Sequence, residues 1–253
     1  MIQKIFQTNL DRENLSKIPK IIRKDLDNFD FSKVVVIKPW GKEYLSYKGI
    51  DTDIWTLHLK NSFGTSIHCH PKKRTSLIVL EGEVISSTLN KEYPLKEGEM
   101  ILYEKGVFHS TKAISKKGAL IMELESPPEK TDLARLKDDY GRANKGYETK
   151  EEMCFDLSKH ERIFLKEKDK HRKVGKMSIS IEKFEDSEKL KDYIKHNKKL
   201  INILIEGKII NTDGKEILLP GEIIELSLVE KEKLNLSNSI KVINIQKNIF
   251  DCD

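Results

Sequence analysis

From Val34 onward, apolar and β-branched residues come in runs of four to eight: "VVVI", "IWTLHL", "TSLIVLEGEVI", "EMILYE" and "ALIMELE". Turn formers separate them at Gly49, Gly64, Gly82, Gly98, Gly106 and Gly118. Short strands at this spacing predict an antiparallel sandwich or barrel. Residues 1–30 lack strand alternation. There "DRENLSKIPKIIRKDLDNF" predicts one or two short helices interrupted near Pro19, a helical N-terminal arm. A further helix signal lies in "KTDLARLKDDYGR".

The strand pattern occurs twice. "LIVLEGEVISSTLNKEYPLKEGEMIL" is echoed by "INILIEGKIINTDGKEILLPGEIIEL", with Glu81-Gly82 matching Glu206-Gly207 and Gly98-Glu99 matching Gly221-Glu222. The second copy has a turn two residues shorter. One supersecondary unit used twice predicts two related barrels. The polar segment "GYETKEEM" separates them, giving an arm at 1–30, a first domain at 31–150 and a second at 151–253.

Composition narrows the function classes. The 253 residues carry 46 basic and 41 acidic side chains, a net +5 scattered along the whole length. That distribution makes no single-sign stripe of the kind nucleic acid requires. No stretch approaches the roughly 20 apolar residues of a membrane span. Cys69, Cys154 and Cys252 are odd in number and far apart, which points to a reducing compartment and a cytoplasmic protein.

The chemistry concentrates in "GTSIHCHPKKRTSLIVLEGEV". Residues two apart on a strand share a face, so His68 and His70 present both imidazoles to one point while Cys69 faces away. His109, after "EMILYEKGV", offers a third ligand, and three imidazoles leave coordination positions open for water or substrate. An H-x-H pair alone is also what a half-buried sheet face carries for ordinary packing.

The H-x-H pair running to Gly82, followed by "G-x5-E-x-G-x2-H" from Gly98 to His109, resembles the paired motifs of the cupin superfamily. The first gap, from Gly64, departs from the usual spacing. The resemblance implies an all-β double-stranded β-helix, the jelly-roll barrel, present here in two copies as a bicupin. It also implies one divalent metal (Mn, Zn, Ni or Fe) on His68, His70 and His109. Where many cupins place a glutamate ligand, this chain has Thr75, a weaker partner for a divalent ion. In the second copy the counterparts of the three histidines are Tyr193, Lys195 and Glu232, with His196 nearby, which implies a barrel without metal.

The flanks "IKPWGKEYLSYKG" and "TDLARLKDDYGR" look like those of phosphomannose-isomerase-type cupins. That likeness implies a metal-dependent isomerase or epimerase for a sugar or sugar phosphate, in surface-polysaccharide or nucleotide-sugar synthesis. Trp40 is then a substrate platform or an ordinary core aromatic. Arg135 and Arg142 bind a phosphate, or pair with Asp132, Asp138 or Asp139. Lys72 in "PKKR" attracts an anionic substrate or sits in a charged turn. The base that moves the proton between neighbouring carbons is His58 or Glu123, with Glu125 on the same strand face as Glu123. A three-histidine iron-dependent oxygenase and a non-catalytic carbohydrate-binding or regulatory cupin are the competing functions. A homodimer is one assembly the sequence allows.

Overall fold

The computed structural model describes residues 2–21, 24–26, 28–143, 145–167, 171–231 and 233–247. Glu232 and Cys252 lie outside them. Two sheets built largely from the first half of the chain face each other. The larger has eight strands in the order Ile2–Ile5, Met100–Tyr103, Arg74–Glu81, Ala119–Ser126, Asp53–Leu59, Gly41–Tyr47, Val35–Lys38 and Met153–Cys154. The smaller runs Ala134–Lys137, Ile67–Cys69, His109–Ala113, Glu83–Thr88 and Glu92–Lys96. All pairings are antiparallel except that of Ile2–Ile5 with Met100–Tyr103. This is the all-β jelly-roll barrel.

Alternation decides what each face buries. Trp55, Leu57, Leu77, Val79, Tyr103 and Ile121 fill the barrel. Their sequence neighbours Ile54, Ile78, Leu80, Leu102 and Met122 leave by the opposite face and pack against Met177, Ile179, Ile181, Ile203, Ile243 and Ile245 of the C-terminal half. Strands buried on both faces read as unbroken apolar runs, which explains "SLIVL" and "LIM".

The C-terminal half forms a four-stranded sheet, Arg172–Val174, Met177–Phe184, Ile240–Lys247 and Ile201–Glu206, and a three-stranded one, Glu216–Leu218, Ile209–Ile210 and Asn235–Leu236. Its hydrogen bonds repeat those of the first half. Val79 donates to Glu99 O at 3.1 Å and accepts from Gly98 N at 2.9 Å; Leu204 donates to Glu222 O at 2.9 Å and accepts from Gly221 N at 2.7 Å. Each strand then slips register against its partner at the same point, at Glu81 and at Glu206. Gly82 and Gly207 follow with φ of +82° and +79°, a conformation that favours glycine.

Three expectations change. The N-terminal arm opens with the strand Ile2–Ile5, whose place is set by the sheet edge it joins and not by its own periodicity. Only then comes the helix Asn9–Lys17, with Thr8 and Asp11 forming a capping box. The segment "TDLARLKDDYGR" contains the strand Ala134–Lys137, because pairing with Ile67–Cys69 overrides its helical propensity. Met153–Cys154 pairs with Val35–Lys38, so the first unit's sheet extends past residue 150. Among the described residues, no helix is long and apolar enough to cross a membrane.

Candidate metal centre and its cleft

His109 opens the strand His109–Ala113 and is paired in register with His68 on Ile67–Cys69. His70 follows that strand on the same face, while Cys69 turns away and is buried. One ligand atom from each imidazole lies within 4.8 Å of the others. The Nδ1 atoms are occupied: His68 donates to Ser66 O at 2.8 Å, His70 to Asp132 O at 2.7 Å and His109 to Val107 O at 3.0 Å. A neutral imidazole that donates from Nδ1 carries its lone pair on Nε2. The Nε2 atoms of His70 and His109 are buried with no hydrogen-bond partner among the described residues. Burial lowers all three pKa values, that of His109 to about 4, so the rings are neutral.

Neutral, oriented imidazoles with orphaned buried nitrogens fit a divalent metal ion, and the carbonyls behind them are the outer partners such ligands use. Two contacts fix His109 further. Tyr103 stacks on its ring at 4.2 Å between centroids, and Tyr103 Oη in turn bonds Ser86 Oγ at 2.7 Å. The loop before it is held by the buried Asp11, which accepts from Phe108 N at 3.0 Å, and by Gly106 N donating to His70 O at 2.8 Å. Thr75 faces inward with Leu77 and Val79, its hydroxyl buried and without a partner among the described residues.

Beside the imidazoles lies a narrow cleft of about 50 Å³. Trp40, Glu123, Glu125, Arg135 and Arg142 line it together with His68 and His70. His58 does not. Its strand alternates so that Trp55, Leu57 and Leu59 enter the barrel and His58 leaves by the other face. Lys72 is also outside, exposed and paired with Glu129. The neighbouring Lys73 goes inward instead, wholly buried, 2.9 Å from Glu125.

The cleft wall is a buried ionic network. Lys130 lies 3.3 Å from Glu43, 3.2 Å from Glu125 and 4.0 Å from Glu123. Lys38 pairs with Glu148 and, at 3.2 Å, with Glu43. Arg135 donates to Glu148 at 2.7 Å and to Gly146 O at 2.6 Å; Arg142 bonds Asp138 at 2.7 Å and Glu148 at 2.8 Å. Burial alone would raise Glu43, but Lys130 and Lys38 outweigh it and hold the carboxyl at about 2. Glu123 has the more distant Lys130, and after it Lys73, against burial, while Glu125 and Glu43 add repulsion, so it is pushed up to about 7. Lys38, Glu43, Lys130, Tyr147 and Glu148 were not among the residues singled out by sequence, and of the run Lys72 to Arg74 the sequence favoured Lys72 over Lys73. Inward parity with Thr75 and Leu77 was the signal available for Lys73; the others come from separate segments that only the fold brings together.

Residues 55–125, the stretch that supplies all three imidazoles and both inward carboxylates of Ala119–Ser126, match the family model described as Cupin domain. The barrel around this stretch has the cupin double-stranded β-helix fold. No curated protein matches the chain in sequence. Among solved structures, the cupin barrel is similar to KdgF from Halomonas sp., at 16% identity and a TM-score of 0.36 over 41% of this chain and 92% of that one. It is similar to an RmlC-like cupin from Shewanella frigidimarina at 16% identity and a TM-score of 0.35, over 40% and 92% of the two chains. For the capsular polysaccharide assembling protein CapF from Staphylococcus aureus the figures are 15% and 0.38, over 44% and 34%.

Proposed function

We propose that the cupin domain is a metal-dependent isomerase or epimerase of a hydroxyl-rich sugar, with Glu123 as the base. The observation that carries this reading is that His68 and His70, two of the three clustered imidazoles, line one cleft with Glu123, a buried carboxylate whose pKa is raised to about 7, suited to proton transfer at neutral pH. A divalent ion on His68, His70 and His109 would polarise the adjacent carbonyl and hydroxyl oxygens of an open-chain sugar. Glu123 takes the proton from one carbon and returns it to the next. Glu125 is less suited, being held by Lys73 and Lys130. Trp40 supplies an apolar wall for the sugar ring or chain.

The charges of the wall favour an unphosphorylated substrate. Arg135 and Arg142, the phosphate-binding candidates, already serve Glu148, Asp138 and backbone carbonyls. Lys38, Lys73 and Lys130 each have carboxylate partners. A buried phosphate dianion would need cations that are free.

We also read the C-terminal sheets as a second cupin copy without metal. Its shared hydrogen-bond register supports this, as does the helix Ser187–His196, which stands in the chain where the first copy has Ile67–Cys69 and carries Tyr193 and Lys195. Its face against Ile54, Ile78 and Met122 makes it a structural cover for the barrel.

The test is the full-length protein loaded in turn with manganese, zinc, nickel or ferrous iron. Aldoses, ketoses and their phosphates are then followed by proton NMR in heavy water. Deuterium entering the product at the isomerised carbon supports the proposal. Sugar binding without exchange makes this a binding protein. Oxygen uptake with ferrous iron makes it an oxygenase, the reading that a ligand set of histidines without a carboxylate also suits.

A further inference from the structure

On the outer face of the large sheet, away from the imidazoles, lies a groove of about 390 Å³ lined by Lys42, His58, Lys60, Lys117 and Glu81, with Leu120 beside His58 in the same cross-strand row. Its size is that of a small-molecule site. The three lysines have no carboxylate partner among the described residues, unlike the lysines of the cleft. Three ammonium groups against the single carboxylate of Glu81 leave the lining near +2.

His58 adds a ring nitrogen. Tyr44 Oη accepts a hydrogen bond from Ile163 N at 3.0 Å and lies 3.3 Å from His58 Nε2. Nδ1 of the same ring has no partner among the described residues, so the tautomer protonated there has a free N–H to donate. Burial, and after it the Lys42 ammonium, lower the His58 pKa to about 4, which keeps the ring neutral, and Lys42 is paired in register with His58 on the neighbouring strand.

We infer that this groove binds the phosphate group of a small phosphorylated molecule, at a site separate from the metal centre, with Lys42, Lys60, Lys117 and His58 Nδ1 as its donors. A phosphate monoester dianion balances the lining charge, and ammonium and imidazole N–H groups are the donors such oxygens accept. The inference stands whether or not the cleft is an isomerase site.

The experiment is a titration of full-length, isotope-labelled protein with inorganic phosphate, read from the His58 ring resonances. A saturable shift with half-saturation at millimolar phosphate is expected, absent with chloride at equal ionic strength. The Lys42→Ala/Lys117→Ala variant, which removes two solvent-facing charges, should weaken the response roughly tenfold or more. His109→Ala should leave it intact. No saturable shift, an equal shift with chloride, or full phosphate response in the double lysine variant would each overturn the proposal. Loss of the response in His109→Ala would show that the groove and the metal centre are one site.

Discussion

His68 and His109 stand directly opposite each other on neighbouring antiparallel strands, their rings 4.6 Å apart between centroids and both anchored through Nδ1. A cross-strand pair of this kind is set by backbone register, so the geometry exists before any ion arrives. Binding then needs little reorganisation, which favours affinity.

The first prediction follows from that anchoring. His68→Ala/His70→Ala should lose stoichiometric metal, measured by elemental analysis, while circular dichroism and the unfolding transition stay cooperative. The ligands lie at one end of a barrel whose core is Trp55, Leu57, Leu77, Val79 and Ile121. Full metal content in the double variant would remove the site from consideration. Thr75→Glu, which adds a carboxylate to an inward-facing position, should tighten binding in competition with a chelator.

A second prediction concerns Glu123 and pH. Its folded pKa, about 7, lies above the ordinary value of 4.5, so the native state holds a proton that the unfolded chain releases between those values. Stability therefore falls as pH rises through that window. Glu123→Gln lacks this dependence, and its stability relative to wild type should grow by at most about 3 kcal/mol between pH 4 and pH 8. Urea unfolding across that range measures it; a gap independent of pH would contradict the assignment. The same variant should keep its metal and lose proton exchange by about a hundredfold or more.

The barrel was legible in the sequence because its strands alternate and its glycines punctuate them, and the imidazoles were legible because two of them share a strand face. The ionic network was not. Glu43, Lys130 and Glu148 lie far apart in the chain, and a lysine or glutamate among 34% charged residues looks like solvated surface until the fold buries it. The face of a strand was likewise ambiguous. His58 and Glu123 were equal candidates until Trp55 and Leu57 proved to point inward, which sends His58 out and, through the pairing of Glu123 with Trp55, brings Glu123 in.

Glu148 gives a third prediction. It accepts from Lys38, Arg135 and Arg142, all buried or nearly so, and removing it leaves three cations short of a partner. Glu148→Ala should cost about 3–5 kcal/mol. Glu148→Gln should cost less, since it keeps an acceptor in place. Denaturant midpoints compare them, and a loss under about 1 kcal/mol for the alanine variant would mean that the network relaxes or hydrates.

The last prediction addresses the C-terminal half. Ile54, Ile78, Leu80, Met100, Leu102, Leu120, Met122 and Leu124 lie on the outer face of the large sheet and are buried against Leu165, Val174, Met177, Ile179, Ile203 and Ile243. A protein ended after residue 156 keeps every candidate metal ligand, yet it exposes this apolar face, far more continuous than the scattered surface apolars of a soluble monomer. It should aggregate, or pair with itself through that face, on expression. Replacing Ile78, Met122 and Leu124 by polar residues in the shortened chain should restore a soluble monomer that still binds one metal ion. Gel filtration and elemental analysis report both properties. A shortened chain that stays monomeric without those replacements would show that the C-terminal sheets are not needed as a cover.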